Sequence, residues 1–248
     1  MRKILFILML LFSFLNFSQS EFIKSWEDTL KPIIIDVYHS NSYKIKDVLS
    51  EKRIKGIIHK ISQEDSLLYH SRRKEAIENN LLWGSYYLPQ YDTDGTSQAD
   101  YYLRMIGSKY TNTDFLALDY EMHKKTNEII SVKNAALFVS RIYEKTGRYP
   151  YIYSGNNNLK TLLDSEYKEI FSKCKLWVVS LKKNGDISSI FMNNSIWNSY
   201  SLWQFSCEIN CCKESKIPCF FKVETLECGI DYNVYNGSYL DLFSNWNK

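Results

Sequence analysis

A chain of 248 residues with 45% hydrophobic and 24% charged side chains, and only 9 Gly and 4 Pro, cannot be mainly disordered, collagen-like or low-complexity sequence. Its net charge of +3 lacks the basic excess or stripe of a polyanion binder, so nucleic acid is excluded as the partner. With 19 Tyr, 13 Phe and 6 Trp, the composition suits a protein that presents flat apolar faces with polar tips.

Residues 1–20 have the form of a secretory signal peptide: Arg2 and Lys3 at the start, an apolar run from Ile4 to Leu15, then Ser18 and Ser20 around a cut. The run is short of the roughly 20 apolar residues that cross a bilayer, and no later stretch qualifies. The mature chain is therefore expected to be secreted, extracellular or periplasmic, without a membrane span. From Pro32 onward, short β-branched or aromatic runs alternate with helical periodicity, the pattern of a parallel sheet covered by helices. Strands are predicted at Ile33–Val37, Gly56–Ile61, Leu82–Leu88, Phe115–Glu121, Tyr149–Ser154, Lys175–Leu181, Ser201–Ser206 and Gly229–Val234. Helices are predicted at Ser66–Asn80, Thr96–Tyr110 and Ser131–Thr146, each opening on a Ser or Thr able to cap free N–H groups; Gly147 and Pro150 stop the third. After Tyr167 the alternation weakens. The fold expected is α/β, an irregular TIM-like barrel with eight strands and fewer helices, as one domain over residues 30–248. A monomer is expected.

Six cysteines, five of them within 207–228, suit an oxidising compartment, with disulfides preferred to zinc because the paired C-x-x-C spacing and a nearby His are missing. Their pairing is open. The four His lack H-x-x-x-H spacing, so neither a metal site nor a Ser-His-Asp triad is indicated. There is no glycine-rich phosphate loop, and no cofactor is expected.

The segment 115–121, F-L-A-L-D-Y-E, carries the most chemistry. Side chains alternate along a strand, so Asp119 and Glu121 share a face with Cα atoms roughly 6.5 Å apart. Both end an apolar run, and in closed α/β barrels catalytic groups sit at that end. Asp36 and Asp231 follow apolar runs in the same way, so four carboxyl groups are expected to converge. Crowding and burial raise at least one pKa and keep a general acid protonated; a proton donor beside a second carboxylate, amid aromatic rings, points to glycoside hydrolysis. Tyr86, Tyr153, Trp203 and Trp177 are the candidates for sugar stacking, with plain barrel packing the alternative, preferred for Trp177. Lys60 is placed to neutralise one carboxylate.

Nine motifs in order resemble those of the glycoside hydrolase family 25 lysozymes, the Chalaropsis-type N-acetylmuramidases. They are I-D-V-Y-H at 35–39, K-I-S-Q-E at 60–64, L-L-W at 81–83 leading into G-S-Y-Y-L at 84–88, Q-A-D-Y-Y at 98–102 and L-D-Y-E at 118–121, followed by T-G-R-Y-P-Y-I-Y-S at 146–154, L-W-V-V at 176–179, W-Q-F at 203–205 and D-Y-N at 231–233. The resemblance implies cleavage of the β-1,4 bond between N-acetylmuramic acid and N-acetylglucosamine in peptidoglycan. By position, Glu121 would be the general acid. Asp119 would stabilise the oxocarbenium-like transition state or orient the 2-acetamido group. Asp36 and Asp231 would line the pocket, together with Tyr86, Tyr87, Tyr153, Trp203 and Lys60. Tyr38, Asn41, Glu64 and Tyr87 depart from the family pattern. The 207–228 insertion is expected on the rim, stapling a loop. A chitinase-like hydrolase, using Asp114 with Asp119 and Glu121, and a catalytically silent carbohydrate-binding barrel are the alternatives.

Overall fold

The first strand is buried along its whole length, because Ile33, Ile34, Ile35 and Val37 carry branched side chains that pack on both faces of a pleated backbone. The computed structural model describes residues 21–62, 66–108, 110, 112–192, 196–212 and 219–248. The leader, Gln63 and Glu64 of the lysine motif, and residues 213–218 of the insertion lie outside the described residues.

After one 3-10 turn at Ser25–Glu27 the order is β1 (Ile33–Val37), α1 (Ile45–Ser50), β2 (Ile54–Lys60), α2 (Ser66–Glu78), β3 (Leu82–Tyr87), α3 (Gly95–Ile106), β4 (Phe115–Asp119) and α4 (Val132–Thr146). The second half runs β5 (Tyr151–Gly155), α5 (Asn156–Leu163), α6 (Lys168–Phe171), β6 (Leu176–Val179), α7 (Ser188–Phe191), β7 (Leu202–Ser206), α8 (Glu208–Cys211), β8 (Asp231–Tyr235) and α9 (Tyr239–Asn245). Each strand pairs with its sequence neighbour, and β8 closes the barrel on β1.

Strands β1 to β7 are parallel, but β8 is antiparallel to both β7 and β1. This corrects the expectation of a uniformly parallel sheet. A parallel return needs a crossover that carries the chain back along the sheet, usually a helix. Among the described residues the β7–β8 connection holds only the 4-residue α8, so the chain re-enters from the end at which it left. The helices thin out as the sequence suggested: α2, α3 and α4 have 13, 12 and 15 residues, against 8 or fewer in α5 to α8.

Ser131 caps α4 as expected, its Oγ accepting from Asn134 N at 3.2 Å. At α3 the cap is Asp94, one residue before the helix and not Thr96, with Oδ2 accepting from Ser97 N at 2.8 Å. That helix stops at Gly107, where φ is 89°, short of the predicted Tyr110. Alternation sorts the core into two layers. Ile33, Ile35, Ile57, Leu116, Leu118, Ile152 and Val178 face the helices, while Ile34, Ile58, Phe115, Ala117, Tyr151, Trp177 and Leu202 fill the barrel. Gly84 makes room for this filling, since a Cβ there would stand 2.7 Å from that of Phe115.

Candidate active site

The inward parity that starts with Phe115 and Ala117 continues to Asp119, the last residue of β4, and Glu121, two residues further and past the strand's end, where the sequence predicted strand, is near enough to raise the pKa of Asp119. By the same rule Asp36 on β1, Lys60 at the end of β2, Tyr86 on β3, Tyr153 on β5 and Gln204 on β7 face the barrel axis near the carboxyl ends of their strands. Asp231 is not at a carboxyl end as expected; it is the first residue of β8, and reaches the same mouth because that strand runs the other way. Asp36 is paired with it directly in the sheet.

Hydrogen bonds divide the four carboxyl groups into two kinds. Gln204 Nε2 donates to Asp36 Oδ2 at 3.1 Å and to Asp231 Oδ2 at 3.0 Å, while Gln204 Oε1 accepts from the Tyr153 hydroxyl at 2.7 Å. Asn233 Nδ2 donates to the same Asp36 oxygen at 2.7 Å, and Asn233 Oδ1 accepts from Trp177 Nε1 at 2.6 Å. In contrast, Asp119 Oδ1 is buried and has no hydrogen-bond partner among the described residues.

Burial is the first cause of every pKa shift here, because it penalises the charged form. It raises Asp36 to about 6, against the opposing bonds from Asn233 and Gln204. Asp119 is held well above the ordinary carboxylate range by burial and then by Glu121, with Lys60 pulling the other way. Asp231 is likewise held high by burial, then by Asp36 and Glu208. Glu121 is raised by burial, opposed by Lys124. Tyr86 and Tyr153 lie so deep among these acids that both stay neutral hydroxyl donors. The site can therefore present protonated carboxyls near neutral pH, beside a cation, Lys60, and phenolic donors.

Two expected sugar contacts are corrected. Tyr87 neighbours Tyr86 and so faces the helix layer, stacked on Tyr102 at 5.6 Å and Phe138 at 6.0 Å between ring centroids. Trp203 neighbours Gln204 and likewise points outward, fully buried against Trp26 and Tyr200, with Nε1 bonded to Ser180 O at 3.0 Å. Trp177 packs inside the barrel, the role preferred for it. Asp114 is forked by Arg73 at 2.7 Å at the opposite end of β4, which removes the acid that the chitinase-like pattern requires. Sequence reasoning missed Gln204 and Asn233. The signal was present, because Asn233 follows Asp231 by two residues, the spacing that joined Asp119 to Glu121.

The rim is built from loops. Asn41, where the family pattern has Gln, accepts from Tyr38 N at 2.8 Å and donates to Gly229 O at 2.6 Å, tying the β1 loop to the approach to β8. Disulfides join Cys211 to Cys219 and Cys212 to Cys228, while Cys174 and Cys207 are buried free thiols. Phe220 of the insertion packs on Trp26, and Phe221 on Phe205. Lys124 of the β4 loop reaches Glu208 of α8 at 3.7 Å. Among the described residues no group of three or more His, Cys, Asp or Glu is arranged to hold a metal, and no helix is long and apolar enough to cross a membrane.

The family model of the glycosyl hydrolases family 25 matches residues 35–212, which hold Asp36, Asp119, Glu121 and Gln204. The chain belongs to that family. Membership makes it a glycoside hydrolase, and β8 with Asp231 and Asn233 lies beyond the matched segment. Family 25 structures share its fold. A bacterial lysozyme from Streptomyces coelicolor superposes with a TM-score of 0.67 at 18% identity, covering 89% of this chain and 99% of that one. A family 25 glycosyl hydrolase from Bacillus anthracis gives 0.66 at 16%, covering 89% and 95%. A muramidase from Trichobolus zukalii gives 0.61 at 17%, covering 87% and 99%. Comparison with curated proteins by sequence gives no match.

Proposed function

We propose that this family 25 glycoside hydrolase is a secreted N-acetylmuramidase that cuts the β-1,4 bond between N-acetylmuramic acid and N-acetylglucosamine in peptidoglycan. The observation that carries the reading is the pairing of Glu121, whose pKa burial raises, with Asp119 two residues before it, whose buried Oδ1 lacks a partner among the described residues. A general acid beside an unsatisfied acceptor matches a sugar bearing an N–H beside the bond to be broken. Lysozymes and muramidases among the similar structures support the same substrate class.

In this mechanism Glu121 donates its proton to the glycosidic oxygen as the bond to the anomeric carbon breaks. The 2-acetamido carbonyl oxygen closes on that carbon, and Asp119 accepts the acetamido N–H on its unpartnered Oδ1. Its burial makes that hydrogen bond strong, since it forms where water is scarce. Water, deprotonated by the Glu121 carboxylate, then opens the ring and restores the original anomer. Tyr86 donates its hydroxyl to the sugar, Tyr153 holds the amide of Gln204, and Lys60 limits the net charge of the mouth. The leader at 1–20 and the two disulfides of the rim fit export to an oxidising space.

The test is lysis of bacterial walls with wild type and Glu121→Gln, mass spectrometry of the muropeptides, and the product anomer by NMR. A new reducing-end muramic acid of retained configuration, absent with Glu121→Gln, supports the reading. Reducing-end glucosamine, or an inverted product, overturns the bond assignment or the acetamido step respectively.

A further inference from the structure

Two amides stand inside the mouth, and both are locked in one orientation. If Gln204 were turned over, its carbonyl oxygen would face two carboxyl groups; the Tyr153 hydroxyl, donating at 2.7 Å, keeps that oxygen away and leaves the NH2 group for Asp36 and Asp231. Asn233 is fixed in the same way, by the indole N–H of Trp177 on its oxygen and by Ile34 O, 3.1 Å from its Nδ2. Both amides converge on one atom, Asp36 Oδ2, and Asp36 Oδ1 takes no hydrogen bond among the described residues.

We infer that Gln204, turned by Tyr153 and seconded by Asn233, is a positioning residue: it holds Asp36 as the anionic wall of the mouth, facing the Asp119–Glu121 pair, and ties Asp231 to it. The inference rests on the proposed muramidase chemistry for its role, but not for its geometry. N–H donors favour a carboxylate, and Asp36, with two of them, is at about 6, whereas Asp119, with an orphaned oxygen, stays well above the ordinary range. The acids that interact with Asp36 come from several elements, Asp119 and Glu121 from β4 and its end and Asp231 from β8, and Lys60 from β2 opposes the shifts of Asp119 and Glu121. Tyr86 from β3, Tyr153 from β5 and Cys207 beyond β7 are the neutral titratable groups around it. Near pH 7 Asp36 is then the ionised member whose charge raises the pKa of Glu121, and the acid limit of activity is set from β7 and β8, away from the reacting pair.

The experiment titrates aspartate carboxyl carbons by NMR in the mature chain, with Asp36 assigned through Asp36→Asn, and follows kcat/KM for wall lysis against pH. Gln204→Leu removes the bridging donor and is expected to move the Asp36 midpoint up by about one pH unit, the worth of one charge-assisted hydrogen bond. The acid limb of kcat/KM moves with it, while the plateau kcat changes less than about threefold. Tyr153→Phe, which only frees the amide to turn, moves both in the same direction by less, and decides the matter alone if Gln204→Leu does not fold. A midpoint unmoved in these variants, or a loss of kcat uniform across pH, overturns the inference and leaves Gln204 as packing. The titration needs no substrate, so a wild type that leaves muramyl bonds intact defeats the functional reading without touching this result.

Discussion

The two ends of the barrel are made by the same alternation and have opposite characters. At the foot, Phe115 packs against Tyr151 at 4.1 Å and Trp246 at 4.9 Å between centroids, and the polar tip of Trp246 is satisfied by Trp83 O at 2.7 Å. The last turn of α9 is closed by cations, Lys175 on Asn245 O at 3.3 Å and Arg148 on Asn247 O at 2.6 Å, as suits the negative end of a helix. At the mouth, the buried Asp36 and Asp119 lie beside the half-buried Glu121 and Asp231, all four with raised pKa values, and one oxygen has no partner among the described residues. Stability is concentrated below and the capacity for chemistry above, which is why the mouth tolerates an arrangement that costs free energy.

The sharpest way to break that division is to exchange the effects. Glu121→Gln changes one atom of a half-buried side chain, so it is expected to lower wall lysis by about two to four orders of magnitude, the usual weight of general acid catalysis, with unchanged thermal stability. Phe115→Ala should do the reverse. It removes a ring that is 1% exposed and is expected to cost about 3–5 kcal/mol of stability in a denaturant titration, with kcat per folded molecule preserved. A Phe115→Ala enzyme that is stable but inactive would show that the foot takes part in the reaction.

Asp119→Asn sharpens the comparison from inside the mouth. It deletes a desolvated carboxyl and is expected to raise stability at pH 7 by roughly 1–3 kcal/mol while lowering lysis at least about tenfold. The pH dependence fixes the sign. Asp36, Asp119 and Asp231 bind protons more tightly folded than unfolded, so their stabilising contribution is complete below the unfolded value near 4. It declines as pH rises, through about 6 for Asp36 and further for the other two. Asp100, Asp186 and Asp241, whose pKa values are lowered by Arg141, Ser188 and Ser238, act below that window with the opposite sign. Melting temperatures measured from pH 4 to 8 should fall in the wild type and fall less in Asp119→Asn; equal slopes would show that Asp119 is charged throughout.

Much of this division was legible in the sequence because it follows from period two. The run F-L-A-L-D-Y-E shows its apolar start and acid end on one face, and eight such runs give the barrel. The errors came from not applying that period everywhere. Adjacent Tyr86 and Tyr87 cannot both face the mouth, nor can Trp203 and Gln204, yet ring chemistry promoted Tyr87 and Trp203 above the amides. The reversal of β8 lay beyond local pattern. It depends on a long, cysteine-rich connection whose described residues hold no crossover helix, and antiparallel and parallel strands of five residues look alike. Which carboxyl keeps an orphaned oxygen is a matter of three-dimensional burial that spacing does not encode.

The smallest effect expected is at the edge of the mouth. Lys124 is 93% exposed, pairs with Glu208 at 3.7 Å and lowers the pKa of Glu121 from outside. An exposed pair of this kind contributes little to stability, so Lys124→Ala should leave the melting temperature nearly unchanged. Its influence on Glu121 has a definite sign, however. Without the cation Glu121 holds its proton to higher pH, and because the general acid must be protonated, the alkaline limb of kcat/KM moves upward by a few tenths of a unit at most. Raising the ionic strength of the wild type should reproduce the shift, since salt screens an exposed charge while leaving the buried carboxyls largely unscreened. A limb that moves downward in Lys124→Ala, or that ignores both the substitution and salt, would mean that the proton donor is set by burial alone and that the rim has no share in it.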